Sequence, residues 1–221
     1  MSSHHIVREG QEPALIIANG AACDPELMDQ LLEWSPFIVV LDGALHRVLE
    51  RQIKFDVVLG DFDQQSPEDV MRMVPPHTLV LHVPDQDKTD LEKGIEYLIS
   101  RNFEAVNILW ATGQRSDHYM NNIATLARYK DRIGLVMLDN HSRIYPIHSG
   151  FTKHFSAGTN VSLIPLNRVS NLSSRNLVWN LNGETLEYPH RTSSSNKVAE
   201  SGLVSISFDS GILLMMECID L

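Results

Sequence analysis

Four short polar clusters, each holding aspartate, follow four apolar runs in the first half of the chain. The run 37–41 leads into Asp42-Gly43, and 57–59 leads into Gly60-Asp61-Phe62-Asp63. The run 78–83 leads into Asp85-Gln86-Asp87-Lys88-Thr89-Asp90, and 106–110 leads into Gly113-Gln114-Arg115-Ser116-Asp117-His118. If the runs are parallel strands, all four clusters emerge at one edge of one sheet, where open α/β sheets bind ligands. Carboxylates crowded there repel one another unless a cation intervenes, and a hard, oxygen-preferring ion such as Mg²⁺ suits them. The chemistry implied is that of a metal and a polyphosphate.

Each cluster also has a plainer reading. Asp61 and Asp63 stand two residues apart, so in an extended segment both project to one side, but turn acids before a helix cap would look the same. Six polar residues at 85–90 exceed what a simple turn needs, although Asp90 could be an N-cap and Lys88 a solvated charge. Backbone N–H groups at the helix start after Gly113, with Arg115, suit a phosphate. An Arg115–Asp117 surface pair is an equal alternative. His118 lies one turn from Asn122 on the same helix face, and no residue is singled out as a general base. Taken alone, Trp179 reads as core and Asn19-Gly20 as a turn.

The elements that must position these residues alternate from residue 14 to about 138. The run 14–18 is a strand ending at Asn19-Gly20. Asp24-Pro25-Glu26 opens a helix with an N-cap acid and Pro at its first position, and Leu27, Leu31 and Leu32 are its expected buried face. Ser66-Pro67 opens a second helix, with Asp69 at the capping-box position. Thr89 or Asp90 caps a third, carrying Leu91, Ile95, Leu98 and Ile99 at helical spacing. A fourth, about 117–128, buries Ile123, Leu126 and Ala127. Strands alternating with helices imply βαβ units and a parallel, Rossmann-like sheet. Continuous apolar strands imply cover on both faces.

The pattern breaks near residue 140. Short alternating strands are expected at 143–148, 151–155, 160–165, 203–208 and 212–217, in a Ser- and Asn-rich background without helices. That is the signature of an antiparallel β-sandwich. The reading is therefore α/β: an N-terminal parallel-sheet domain (14–140), then a C-terminal antiparallel β-sandwich (141–221), with the boundary between Leu138 and Arg143.

Composition excludes several classes. A formal charge of −10 argues against a nucleic-acid binder, which needs a basic face. At 43% hydrophobic residues the chain can build a core, and no apolar run approaches the roughly 20 residues that span a bilayer. Cys23 and Cys218 alone make neither a disulfide framework nor a metal spacing, which fits a reducing cytoplasm. His4-His5 reads as a solvated tail.

Taken in order, the motifs resemble those of thiamin pyrophosphokinases, a family that transfers a diphosphate from ATP to thiamin. The family pattern has Asp-Gly-Gly after a strand, Gly-Asp-Phe-Asp-Ser, an Asp/Gln-Asp-x-Thr-Asp segment, and Gly-Gly-Arg-x-Asp-His with Asn five residues past the Asp. Here stand Asp42-Gly43-Ala44, Gly60-Asp61-Phe62-Asp63-Gln64, Gln86-Asp87-Lys88-Thr89-Asp90, and Gly113-Gln114-Arg115-Ser116-Asp117-His118 with Asn122. Asn176-Leu177-Val178-Trp179 is similar to a Gly-Leu-Lys-Trp-type segment, and Ser194-Ser195-Asn196 to a Ser-Asn-containing one. Ala44, Gln64 and Gln114 depart from the pattern, and Gln114 puts a side chain where the family has none.

The resemblance spans about 14–217 and implies a homodimer with sites at the subunit interface. It makes Asp61, Asp63 and Asp90 the Mg²⁺ ligands, with Arg115 assisting catalysis. Asp42, Gln86, Asp87, Thr89, Asp117 and Asn122 fall to the nucleotide site, and Trp179, Ser195 and Asn196 to thiamin. A Mg²⁺-dependent phosphohydrolase using an Asp of 61–63 as nucleophile is one competing expectation. A non-catalytic nucleotide or vitamin sensor is the other.

Overall fold

The computed structural model describes residues 13–63 and 65–219, so His4, His5 and Gln64 lie outside the described residues. The chain divides into two compact units. One runs to Thr125 and takes in Asp131–Leu135, and the other takes Leu126–Lys130 and the chain from Val136 onward.

In the first unit five parallel strands form one sheet: β1 (Ala14–Ile17), β2 (Ile38–Leu41), β3 (Val57–Gly60), β4 (Leu79–His82) and β5 (Ala105–Leu109). Their spatial order is β5-β1-β2-β3-β4. The chain steps outward from β1 to β4, then returns to the far side of β1. The order thus reverses between β1 and β5, and the loops after those two strands flank a crevice of the kind that binds ligands in open α/β sheets. Strands β1, β2 and β3 are buried along their whole length, as continuous Val, Ile and Leu require when helices cover both faces. The edge strand β4 departs from that expectation. It is only partly covered, with Leu79 47% exposed, as the last strand of its sheet.

Four helices connect these strands, α1 (Pro25–Leu32), α2 (Leu45–Glu50), α3 (Pro67–Met73) and α4 (Asp90–Ser100), and α5 (Ser116–Tyr129) follows β5. On α1 the fully buried residue is Met28, while Leu27, Leu31 and Leu32 are only half-buried. The Asp24 side chain makes no cap bond there. Ser66 caps α3 by accepting from the Asp69 N–H at 3.1 Å. Thr89, not Asp90, caps α4 in a reciprocal capping box with Glu92. That choice frees the Asp90 carboxylate for other work. Leu91, Ile95 and Leu98 anchor α4 beneath the sheet, and Gly94 lets it approach closely, since a Cβ there would sit 3.2 Å from Leu41. The short helix α2 gave no sequence signal beyond one turn's worth of apolar positions.

The second unit is a two-sheet sandwich. One sheet runs β12 (Ser193–Lys197), β9 (Asn160–Pro165), β14 (Leu213–Cys218), β7 (Ser142–Ile147), with β6 (Gly134–Leu138), whose first two residues belong to the first unit, beside β7. The other runs β11 (Glu184–Leu186), β10 (Val169–Arg175), β13 (Gly202–Ser207), β8 (Phe151–Phe155). All pairings within the sandwich are antiparallel. Inward residues of both sheets, among them Val161, Leu163, Met215, Leu172, Val204 and Ile206, make one core. This is the expected α/β-then-sandwich architecture. Among the described residues no helix is long and apolar enough to cross a membrane.

Candidate active site

Three of the four sequence clusters meet at the carboxyl ends of β2, β3 and β4. Asp42 opens a single 3₁₀ turn after β2 and accepts two backbone N–H groups, from Gly43 at 2.5 Å and from Phe62 at 3.1 Å. The second bond ties the β2 loop to the β3 loop. It needs Gly60, because a Cβ there would run into the Asp42 carboxyl. Burial, together with the negative charges of Asp90 and, more weakly, Asp61, pushes the Asp42 carboxyl up to about 6. The accepted N–H bonds act against this rise and do not cancel it.

Asp61 and Asp90 converge on one ammonium. Lys93 Nζ lies 3.0 Å from Asp90 and 3.8 Å from Asp61, and the lysine side chain is only 2% exposed. Gln86 donates to Asp61 from Nε2 at 3.2 Å, bringing the third cluster onto the second. Asp63 is not gathered with them. Phe62, buried, sits between the two acids at φ 53°, a left-handed conformation costly for an aromatic residue. That breaks the alternation expected of an extended segment, so Asp61 lines the cleft while Asp63 stands exposed in the turn. Asp87 is exposed as well, its N–H bonded to the Asp85 carboxylate at 2.9 Å.

The cleft is about 400 Å³ and continues to the crevice between β1 and β5, where it is lined by Asn19, Gly20, Gly113, Gln114, Arg115, His118 and Asn122. Gly113 and Gln114 both have positive φ, 71° and 53°, and this turn sets the start of α5 against the cleft. Asn122 Nδ2 donates to the Ala111 carbonyl at 2.8 Å, which fixes that start. Arg115 pairs with Asp117 at 2.5 Å on the exposed rim, and this holds the Asp117 carboxyl down to about 2. Both the surface pair and the cleft position expected from sequence are thus present for Arg115.

Among the described residues no three His, Cys, Asp or Glu side chains form a finished metal cage. The donor set nonetheless fits a hard cation carried in with phosphates. Mg²⁺ is usually held by one or two carboxylates and otherwise by substrate oxygens and water, and Asp61 and Asp90, both lining the cleft, are carboxylates of that kind.

In the sandwich unit Trp179 is 61% exposed on a loop after β10. Its backbone is gripped at both ends by buried Asn196, which accepts from the Trp179 N–H at 3.2 Å and donates to its carbonyl at 2.8 Å. Ser195, at φ 55°, is anchored by its N–H to Ser162 Oγ at 3.0 Å and leaves its side chain outward. An indole presented to solvent on a loop this firmly held differs from the core residue that composition alone suggested.

Comparison with known proteins decides the family. Residues 28–137 match the model of the thiamin pyrophosphokinase catalytic domain, and 149–213 match that of the thiamin pyrophosphokinase vitamin B1 binding domain. The chain belongs to the thiamin pyrophosphokinase family. It is 26% identical over 188 residues to thiamin pyrophosphokinase 1 of Caenorhabditis elegans, covering 78% of this chain and 76% of the relative. With thiamine pyrophosphokinase 1 of rice, Oryza sativa subsp. japonica, it shares 31% over 179 residues, 72% of this chain and 65% of the relative. The crystal structure of yeast thiamin pyrophosphokinase superimposes with a TM-score of 0.82 over 96% of this chain and 88% of that one; at 16% identity this speaks to the fold. Thiamin pyrophosphokinases are kinase-type transferases, and the chain is an enzyme of that class.

Every cleft residue named above from Asp42 to Asn122 falls inside the family's catalytic-domain match, and Trp179, Ser195 and Asn196 fall inside the second. A separate cavity of about 800 Å³ opens at the opposite ends of the strands near Ile38, Phe55 and Asp56 and holds none of them. Sequence reading passed over Lys93, which lines the cleft, and Arg47, which braces the loop beside it. Lys93 was findable as a lysine one helical turn after Asp90. Arg47 was hidden because the helix that carries it, α2, was not anticipated; it reaches the β1 loop, donating to the Gly20 carbonyl and to Asn19 Oδ1 at 2.9 Å each.

Proposed function

We propose that the chain transfers the diphosphate of ATP to the primary hydroxyl of thiamin, giving thiamin diphosphate and AMP. The observation that carries this reading is the convergence of Asp42, Asp61 and Asp90 in the same cleft as the Arg115 loop, in a chain of this family. Transfers of this kind depend on positioning and charge neutralisation more than on covalent catalysis. The acceptor oxygen would attack the β-phosphorus in line with the departing AMP oxygen.

Asp61 and Asp90, with Asp63, would hold Mg²⁺, which when bound offsets charge on the triphosphate oxygens. Asp42, Gln86, Asp87, Thr89, Asp117 and Asn122 serve the nucleotide site. Arg115 and the first N–H groups of α5 meet developing negative charge on the leaving side. Thiamin is a flat, cationic heteroaromatic, and the exposed Trp179 face suits it, a contact worth about 0.5–2 kcal/mol. Trp179, Ser195 and Asn196 would reach thiamin bound by the partner subunit of a homodimer. Two free thiols suit a cytoplasmic setting.

Incubation with ATP, Mg²⁺ and thiamin should yield AMP and thiamin diphosphate in equal amounts. Free phosphate formed without thiamin would favour the phosphohydrolase reading. Binding of both ligands without turnover would favour a sensor.

A further inference from the structure

Lys93 is used by nothing in the mechanism above, yet it is the most buried charge in the cleft. Its side chain lies on α4 one turn after Asp90, 2% exposed, with Nζ 3.0 Å from Asp90 and 3.8 Å from Asp61. The same side chain also lines a neighbouring cavity of about 300 Å³ bounded by His82, Asp85, Glu96 and Tyr97. An ammonium so buried is tolerable only when paired, and two carboxylates so close together are tolerable only with a positive charge between them. Each explains the other. The two acids it pairs are two of the three assigned to Mg²⁺.

We propose that Lys93 is a positioning residue that acts as the resident counter-ion of the metal site. While no metal–nucleotide is bound, its ammonium holds Asp61 and Asp90 together and keeps the β3 loop against α4. An arriving divalent cation must share those carboxylates with it, so Lys93 keeps the affinity for bare cation low. Triphosphate, which brings its own oxygens and negative charge, then makes up the difference. The cleft on this account favours the metal–nucleotide complex over either component.

The proposal rests on the metal assignment for Asp61 and Asp90, and its test uses Mn²⁺ alone, read by paramagnetic resonance without nucleotide or thiamin. Lys93→Met should bind Mn²⁺ about tenfold more tightly than the unaltered protein, since a charge 3–4 Å from the ligands is removed. Lys93→Arg should stay close to the unaltered protein. Lys93→Met should also melt at a lower temperature without metal, and gain more from added Mn²⁺ than the unaltered chain does. Should Lys93→Met fail to fold without metal, added Mn²⁺ should restore it, and failure to do so overturns the proposal. Mn²⁺ bound with equal or weaker affinity in Lys93→Met, or equally tight binding in the Met and Arg variants, overturns it while leaving the metal assignment standing. No Mn²⁺ bound by any of the chains overturns both.

Discussion

The Gln114 side chain donates from Nε2 to the Gly20 carbonyl at 3.1 Å, joining loops 94 residues apart in the chain. Arg47 reaches the same carbonyl at 2.9 Å. At the position where the family pattern has glycine, this chain keeps glycine's left-handed backbone, at φ 53°, and turns the added side chain onto the β1 loop. The loops after β1 and β5, which flank the crevice, are thereby tied by side chains as well as by the backbone bond from the Ala21 N–H to the Thr112 carbonyl at 2.7 Å.

Replacing Gln114 should therefore have opposed consequences. Gln114→Gly relieves the left-handed strain and removes one hydrogen bond, so stability should change by less than about 1 kcal/mol and the KM for ATP by less than about threefold. Gln114→Val cannot hold that φ comfortably and should lose about 1–3 kcal/mol. Urea midpoints and ATP titrations measure both. A large rise in KM for Gln114→Gly would make the amide a nucleotide contact instead of a loop tie.

Asp61→Asn and Asp63→Asn should each fold, since neither side chain is fully buried, and each should cut kcat by about 10²–10³. The comparison between them is informative. Asp61 already sits beside Lys93, whereas Asp63 is exposed in the turn and would have to swing toward the cleft to share the metal. Turnover at limiting Mg²⁺ is the measurement. Near-normal activity in Asp63→Asn alone would restrict the metal ligands to Asp61 and Asp90.

Trp179→Ala should raise the KM for thiamin strongly and leave ATP binding nearly unchanged, because on the proposed reading the indole meets only the acceptor. If each site is built from two subunits, mixing Trp179→Ala with Asp61→Asn at a thiamin concentration far below the raised KM should restore activity in heterodimers, one of whose sites is complete. Differently tagged chains establish that the subunits exchange. Heterodimers without recovered turnover would assign both residues to one subunit's site.

Much of this was legible in the chain. The apolar runs ending in Asp clusters gave the parallel strands of the first unit, because continuous Val, Ile and Leu can be buried on both faces only in such a sheet. Strands β10, β11 and β12 were not legible. Their sequences, such as Val-Ser-Asn-Leu-Ser-Ser-Arg in β10, are polar outside a few inward positions, and a register shift between Val169 and Leu172 breaks the alternation that marks a strand. The site residues were visible by type, but their aim was not. A left-handed Phe62 separates Asp61 from Asp63, and nothing in a Gly-Asp-Phe-Asp string announces a positive φ at an aromatic residue. The partnership of Lys93 with Asp61 likewise depends on β3 and α4 meeting in space.

The most direct test of the central claim follows the β-phosphorus. With ATP labelled in its β-phosphoryl group, Mg²⁺ and thiamin, the label should appear in thiamin diphosphate, with unlabelled AMP released in equal amount and only when thiamin is present. Label recovered in ADP, in free phosphate or in pyrophosphate, or AMP release indifferent to thiamin, would contradict the transfer proposed for this cleft.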